Sequence, residues 1–113
     1  MPSVMVIFDG AGPLPQTATF KAPLDGPAVF VLSGTAWTQS AATLTEINLS
    51  LDGSVIGKPA MCFANQNANH QALRTTFIEV DNLTYDNHTI EISNGNGDTI
   101  TDQNDYFQVV LLY

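Results

Sequence analysis

Short apolar or alternating runs recur along this chain at intervals of roughly 8–12 residues, each closed by glycine, proline, asparagine or aspartate. A strand crosses a domain in about four to eight residues, whereas a helix needs about ten or more. Punctuation this dense leaves room for strands and little for helices. The runs predict strands over Val4–Phe8, Thr17–Ala22, Ala28–Trp37, Thr43–Leu51, Ala60–Phe63, Leu73–Val80, His88–Ser93 and Asp105–Tyr113. The glycines and prolines of Asp9-Gly10-Ala11-Gly12-Pro13 should stop the first run, and Pro23-Leu24-Asp25-Gly26-Pro27 should form the next turn. Within Thr43–Leu51 the residues alternate, with Ile47, Leu49 and Leu51 on one face and Asn48 and Ser50 on the other.

Asp52-Gly53 is the sharpest local signal. Two such residues between apolar runs mark a type I′ hairpin, because both central positions need positive φ. The turn sets Leu51 opposite Ser54 and Leu49 opposite Ile56. The chain of 113 residues reads as one domain, 1–113, of all-β class: an antiparallel β-sandwich, with no repeat or linker.

Composition removes several functions. Charged residues are 12% of the chain, with 11 acidic against 3 basic and a net charge of −8. Lys21, Lys58 and Arg74 are scattered, so there is no supply of cations for phosphates or an anionic membrane, and we expect no nucleic-acid partner. No apolar run approaches the ~20 residues of a membrane span, so no insertion is expected. The single cysteine, Cys62, excludes an intrachain disulfide and reads as a small packed hydrophobe. The first residues, Met1 to Asp9, carry neither a basic region nor a cleavage site of the secretory kind. The expected location is the cytoplasm, or a particle, or the outside by a route without such a signal.

Two runs break the alternation. Ala28-Val29-Phe30-Val31-Leu32 and Tyr106–Tyr113 (Gln108 excepted) are apolar on both faces. A strand of this kind needs cover on its second face. A partner subunit supplies it most simply, and the alternative is a terminal segment of the same chain such as Val4–Phe8. The expected interface is Phe30, Tyr106, Phe107, Val110 and Leu112.

With its final Tyr106-Phe107-Gln108-Val109-Val110-Leu111-Leu112-Tyr113, its Ala28–Leu32 run and its strand count, the chain resembles the C1q/TNF-like jelly rolls. That resemblance implies a jelly-roll sandwich and a homotrimer with the last strand near its axis. It also implies binding of proteins, sugars or surfaces through loops and subunit grooves. The segment Tyr85-x-x-His88-Thr89-Ile90-Glu91-Ile92 resembles a late strand of immunoglobulin-like and carbohydrate-binding sandwiches, the alternative topology.

Among polar residues, Asn94, Asn96, Asp98, Asp102 and Asp105 have nearly the oxygen spacing of an EF-hand loop. Thr99 stands where that loop needs glycine, and Asp105 where it needs glutamate, so calcium on Asp98, Asp102 and Asp105 competes with a plain solvated loop. His70, His88 and Cys62 match no zinc or nucleophile spacing. Trp37 ends a strand, and an amide-rich stretch holds Asn65, Asn67, Asn69 and His70; together these are the candidate sugar-binding residues. Asn48-x-Ser50, Asn82-x-Thr84 and Asn87-x-Thr89 read as chance glycosylation matches. The sequence therefore points to a non-enzymatic, self-assembling recognition or structural module, either lectin-like or an accessory, fibre-type subunit. A small enzyme on the same scaffold is the alternative.

Overall fold

The computed structural model describes residues 3–113; Met1 and Pro2, the start of the 1–113 domain and of the leader stretch considered above, lie outside it. The strands are β1 (Val4–Ala11), β2 (Gln16–Lys21), β3 (Gly26–Thr38), β4 (Thr43–Leu51), β5 (Ser54–Ala64), β6 (Gln71–Ala72), β7 (Thr76–Leu83), β8 (Asn87–Asn94), β9 (Thr99–Ile100) and β10 (Tyr106–Leu112). No helix occurs among the described residues.

All pairings are antiparallel. One sheet runs β1-β10-β3, with β7 on β3 and the short β6 and β9 paired to its far end; the other runs β2-β8-β4-β5. Leaving out β6 and β9, this is the double Greek key of a jelly roll. In an immunoglobulin-like sandwich the last strand pairs with the one before it. Here β10 lies between β1 and β3, which decides against that alternative.

The core is built by alternation. Phe30 and Leu32 from β3, Phe107, Val109 and Leu111 from β10, and Ile78 from β7 face Ile47 and Leu49 of β4 and Ile90 and Ile92 of β8. At about 1.5–3 kcal/mol for each fully buried large side chain, this layer holds the sheets together. Gly34 is required by it: a Cβ there would sit 2.4 Å from the Phe107 ring, so no other residue fits without moving that ring.

Several expectations are corrected. Phe30 and Phe107 are fully buried inside the chain's own sandwich, so they belong to the core and not to an oligomer interface. Only the opposite parity, with Tyr106, Val110 and Leu112, faces outward. β1 does not cover β10; it pairs beside it as an edge strand. Gly10 and Ala11 do not stop β1, because an edge strand tolerates glycine and the run ends before Pro13. The Asp52-Gly53 hairpin forms as expected, with φ of 51° and 90° and the pairs Leu51–Ser54 and Leu49–Ile56.

Candidate functional site

β3 outruns its neighbours. Its last residues are paired only by the two-residue strands, Thr35–Ala36 with β6 and Trp37–Thr38 with β9. Alternation turns Ala36 and Thr38 inward, where both are buried, and leaves Thr35 and Trp37 on the outer face.

Thr35 starts a polar network. Its hydroxyl donates to Asp105 Oδ1 (2.8 Å) and accepts from the Tyr106 amide (3.2 Å). Asp105 is fully buried, and its carboxylate also accepts from the Asp102 amide (2.9 Å) and from His70 Nδ1 (2.8 Å). A buried carboxylate is tolerated only when its lone pairs are met, and these three donors meet them. The other ring nitrogen of His70, Nε2, lies 3.5 Å from Asp102 Oδ2. The hydrogen bond that His70 donates to Asp105 raises the His70 pKa above its ordinary value; desolvation opposes the rise, and the charges of Asp105 and Asp102 add to it. His70 thus ties the 65–70 loop to the 101–105 loop through Asp105.

One ligating atom each from His70, Asp102 and Asp105 lie within 4.8 Å of one another, close enough to hold a metal ion. Two features weaken that use. The ring nitrogens face different carboxylates, and Asp105 Oδ1 already serves Thr35 and His70. Calcium in particular takes six to eight oxygens, and this set has two carboxylates and a nitrogen.

The expected trio of Asp98, Asp102 and Asp105 does not form. Among the described residues the clustered ligand group holds Asp102 and Asp105 with His70, and Asp98 is not part of it. Asp98 instead accepts from the Ser40 hydroxyl (3.2 Å). His88 bonds to Asp52 and Thr84, and the Cys62 thiol donates to Gln71 Oε1 (3.3 Å), so no Cys–His pair exists either.

The sequence-derived sugar residues are partly united. Trp37 packs on His70, ring centroids 6.0 Å apart. Its ring is half-buried and its Nε1 is buried without an acceptor, so it offers a poor stacking platform. Asn65, Asn67 and Asn69 are exposed on the adjacent loop, which is pinned by the Ala68 amide to the Thr38 carbonyl (3.0 Å).

A groove of roughly 420 Å³ opens on the other side of this loop, where the edge of β5 faces β6 and the residues after it. Met61, Cys62 and Phe63 form one wall, and Ala72, Leu73 and Arg74 the other. Leu73 is its buried floor, and the Arg74 amide bonds to the Met61 carbonyl (3.0 Å), tying the walls together. Phe63 is 55% exposed on the rim. Neither Phe63 nor Arg74 was among the candidates from sequence. Phe63 ends the Ala60–Phe63 run and reads as core until β5 is placed at a sheet edge.

No family model matches this sequence, and no curated protein matches it. Solved structures match the fold. A family 35 carbohydrate-binding module from Clostridium thermocellum superposes with a TM-score of 0.55 at 8% identity, covering 96% of this chain and 86% of the module. Dimeric latent PorU from Porphyromonas gingivalis gives 0.57 at 14% identity, over 98% of this chain and 12% of PorU. A β-glucosidase from Paenibacillus barengoltzii gives 0.56 at 12% identity, over 98% of this chain and 10% of the enzyme. None of these is a C1q or TNF protein; they bear out the jelly-roll-like sandwich and do not bear on that superfamily. At such identities the likeness is one of fold: the chain is a β-sandwich built like a carbohydrate-binding module.

Proposed function

We propose that this domain is a non-catalytic, lectin-like carbohydrate binder whose saccharide lies in the groove between Met61–Phe63 and Ala72–Arg74. Phe63 carries the proposal: an exposed aromatic ring on the wall of a groove, two, four and six residues before the amides of Asn65, Asn67 and Asn69. An aromatic face stacks on the apolar face of a pyranose, while amides donate to and accept from its hydroxyls. The groove falls within the ~300–1,000 Å³ typical of small-ligand sites. The fold shared with a carbohydrate-binding module supports the reading. Catalysis is disfavoured on chemistry: the groove is lined by no carboxylate and no histidine, and its one thiol donates to an amide oxygen and has no base. The test is a glycan array probed with the wild-type domain and with Phe63→Ala. Retention of a glycan class by the first and its loss by the second supports the proposal; no glycan retained by the wild type refutes it.

Self-association is a second element, favoured by one observation. Val6, Val110, Val31 and Phe77 pair in a single row across four strands on the outer face of the first sheet, and Val6 and Phe77 are 56% and 65% exposed. Val4, Leu112 and Val29 form a parallel row beside it. We propose that copies of the chain meet on this face, with Tyr106, Val110 and Leu112 in the contact and three copies as the number the C1q/TNF resemblance implies.

A further inference from the structure

We infer that the groove selects saccharides bearing a carboxylate, and that Arg74 reads that group; this rests on the saccharide reading of the groove given above. The chain has three cationic side chains against eleven acidic ones. Lys21 is spent on the Tyr85 ring, its Nζ 4.5 Å from the centroid. Lys58 stands on the exposed irregularity of β5 beside Pro59. Arg74 lines the groove.

In so acidic a protein an exposed guanidinium would be expected to find a carboxylate. Arg74 makes no ion pair among the described residues, whose ion pairs all involve His70 and His88. No side-chain hydrogen bond among the described residues uses its guanidinium either, although its backbone amide is fixed to Met61. A planar fork of five donors on an anchored backbone is therefore free, and its geometry matches a carboxylate held by two parallel bonds. The rest of the lining, Met61, Cys62, Phe63, Ala72 and Leu73, is uncharged, so nothing within the groove competes for the cation. Phe63 and Arg74 stand on opposite walls. A pyranose stacked on the ring can direct an acidic substituent toward the guanidinium. The net charge of −8 does not defeat this, because charges more than ~8 Å away are largely screened at physiological ionic strength.

The matched probes are oligomers of galacturonate and of glucuronate, each beside its methyl ester, titrated into the whole domain. Esterification removes the charge and leaves the rings unchanged. The expected result is at least tenfold tighter binding of an acid than of its ester, with the acid alone weakening as sodium chloride is raised. Arg74→Gln, at an exposed position, should cost the acid about ten- to a hundredfold, the worth of a charged hydrogen-bonded pair, and cost the ester far less, so that the preference for the acid is lost. Arg74→Lys should recover only part of the loss. Equal affinity for acid and ester, or indifference to Arg74→Gln, overturns the inference. Phe63-dependent binding confined to neutral glycans also overturns it while leaving the saccharide reading intact. Failure of every saccharide to bind overturns both.

Discussion

The Asp52 carboxylate and the His88 imidazole lie 2.6 Å apart, Oδ2 to Nδ1, and fasten the β4–β5 turn onto β8. Asp52 Oδ1 also accepts from the Thr89 amide (2.9 Å), and His88 Nε2 donates to the Thr84 carbonyl (2.9 Å). The aspartate that shapes the turn is thus also an anchor, and both ring nitrogens of the histidine are used as donors, which favours its charged form.

That pair makes stability depend on pH in a set direction. The hydrogen bond to His88 lowers the Asp52 pKa, helped by the Thr89 amide, and the bond to Asp52 raises that of His88. The Asp52 contribution is present above its unfolded value of 3.8 and fades as pH falls through the lowered one. The His88 contribution is complete below 6.5 and fades as pH rises through the raised one. Both act together between about pH 4 and 6.5, where the melting temperature should peak. Asp52→Asn should flatten both limbs, leaving on the alkaline side the share due to His70, whose pKa is raised as well. An unchanged pH profile in that variant would contradict the pairing.

Gly53 holds φ near 90° at the same turn. Valine resists that region, so Gly53→Val should cost about 1–3 kcal/mol by denaturant midpoint. A variant as stable as the wild type would show that the turn is not type I′.

This hairpin was legible because turn chemistry is local: Asp52-Gly53 prescribes its own backbone. The strands were legible for the same reason, their apolar runs being bounded by Gly, Pro and Asn. The faces of β10 were not. Tyr106–Tyr113 is apolar on both sides, and only its place between β1 and β3 shows that Phe107, Val109 and Leu111 turn inward. The polar cluster was half legible. Trp37, His70, Asp102 and Asp105 could be named one by one, but their meeting depends on β6 and β9 pairing with the end of β3, and strands of two residues leave no periodic trace. Arg74 stayed hidden because a lone cation carries no pattern until a groove forms around it.

Asp105 is the keystone of that cluster. Asp105→Ala strands the Thr35 hydroxyl, the Asp102 amide and the His70 ring, and should destabilise by about 2–5 kcal/mol in denaturant titration. Because its lone pairs are already used and Asp98 lies apart, millimolar calcium should leave the wild-type melting temperature in place. A rise with calcium that Asp102→Asn abolishes would contradict this, since an ion bound only by the folded chain stabilises it by mass action.

The two faces of β10 separate folding from assembly. Leu111 is fully buried, and Leu111→Asp should unfold the domain. Val110 faces outward beside Val6 and Val31. Val110→Asp should therefore keep the fold, by circular dichroism, while lowering the mass seen in analytical ultracentrifugation to that of one chain. A single-chain mass for the wild type at tens of micromolar would remove self-association.

Recognition of a saccharide between Phe63 and Arg74 is tested most directly by two-dimensional amide NMR of the isotope-labelled domain during titration with a glycan that it retains. The expected result is a contiguous set of shifts over Met61–Phe63, the amides of Asn65, Asn67 and Asn69, and Leu73–Arg74, with the outer face of β10 unmoved. Shifts centred on Val31, Val110 and Phe77 instead, or none at saturating saccharide, would contradict it.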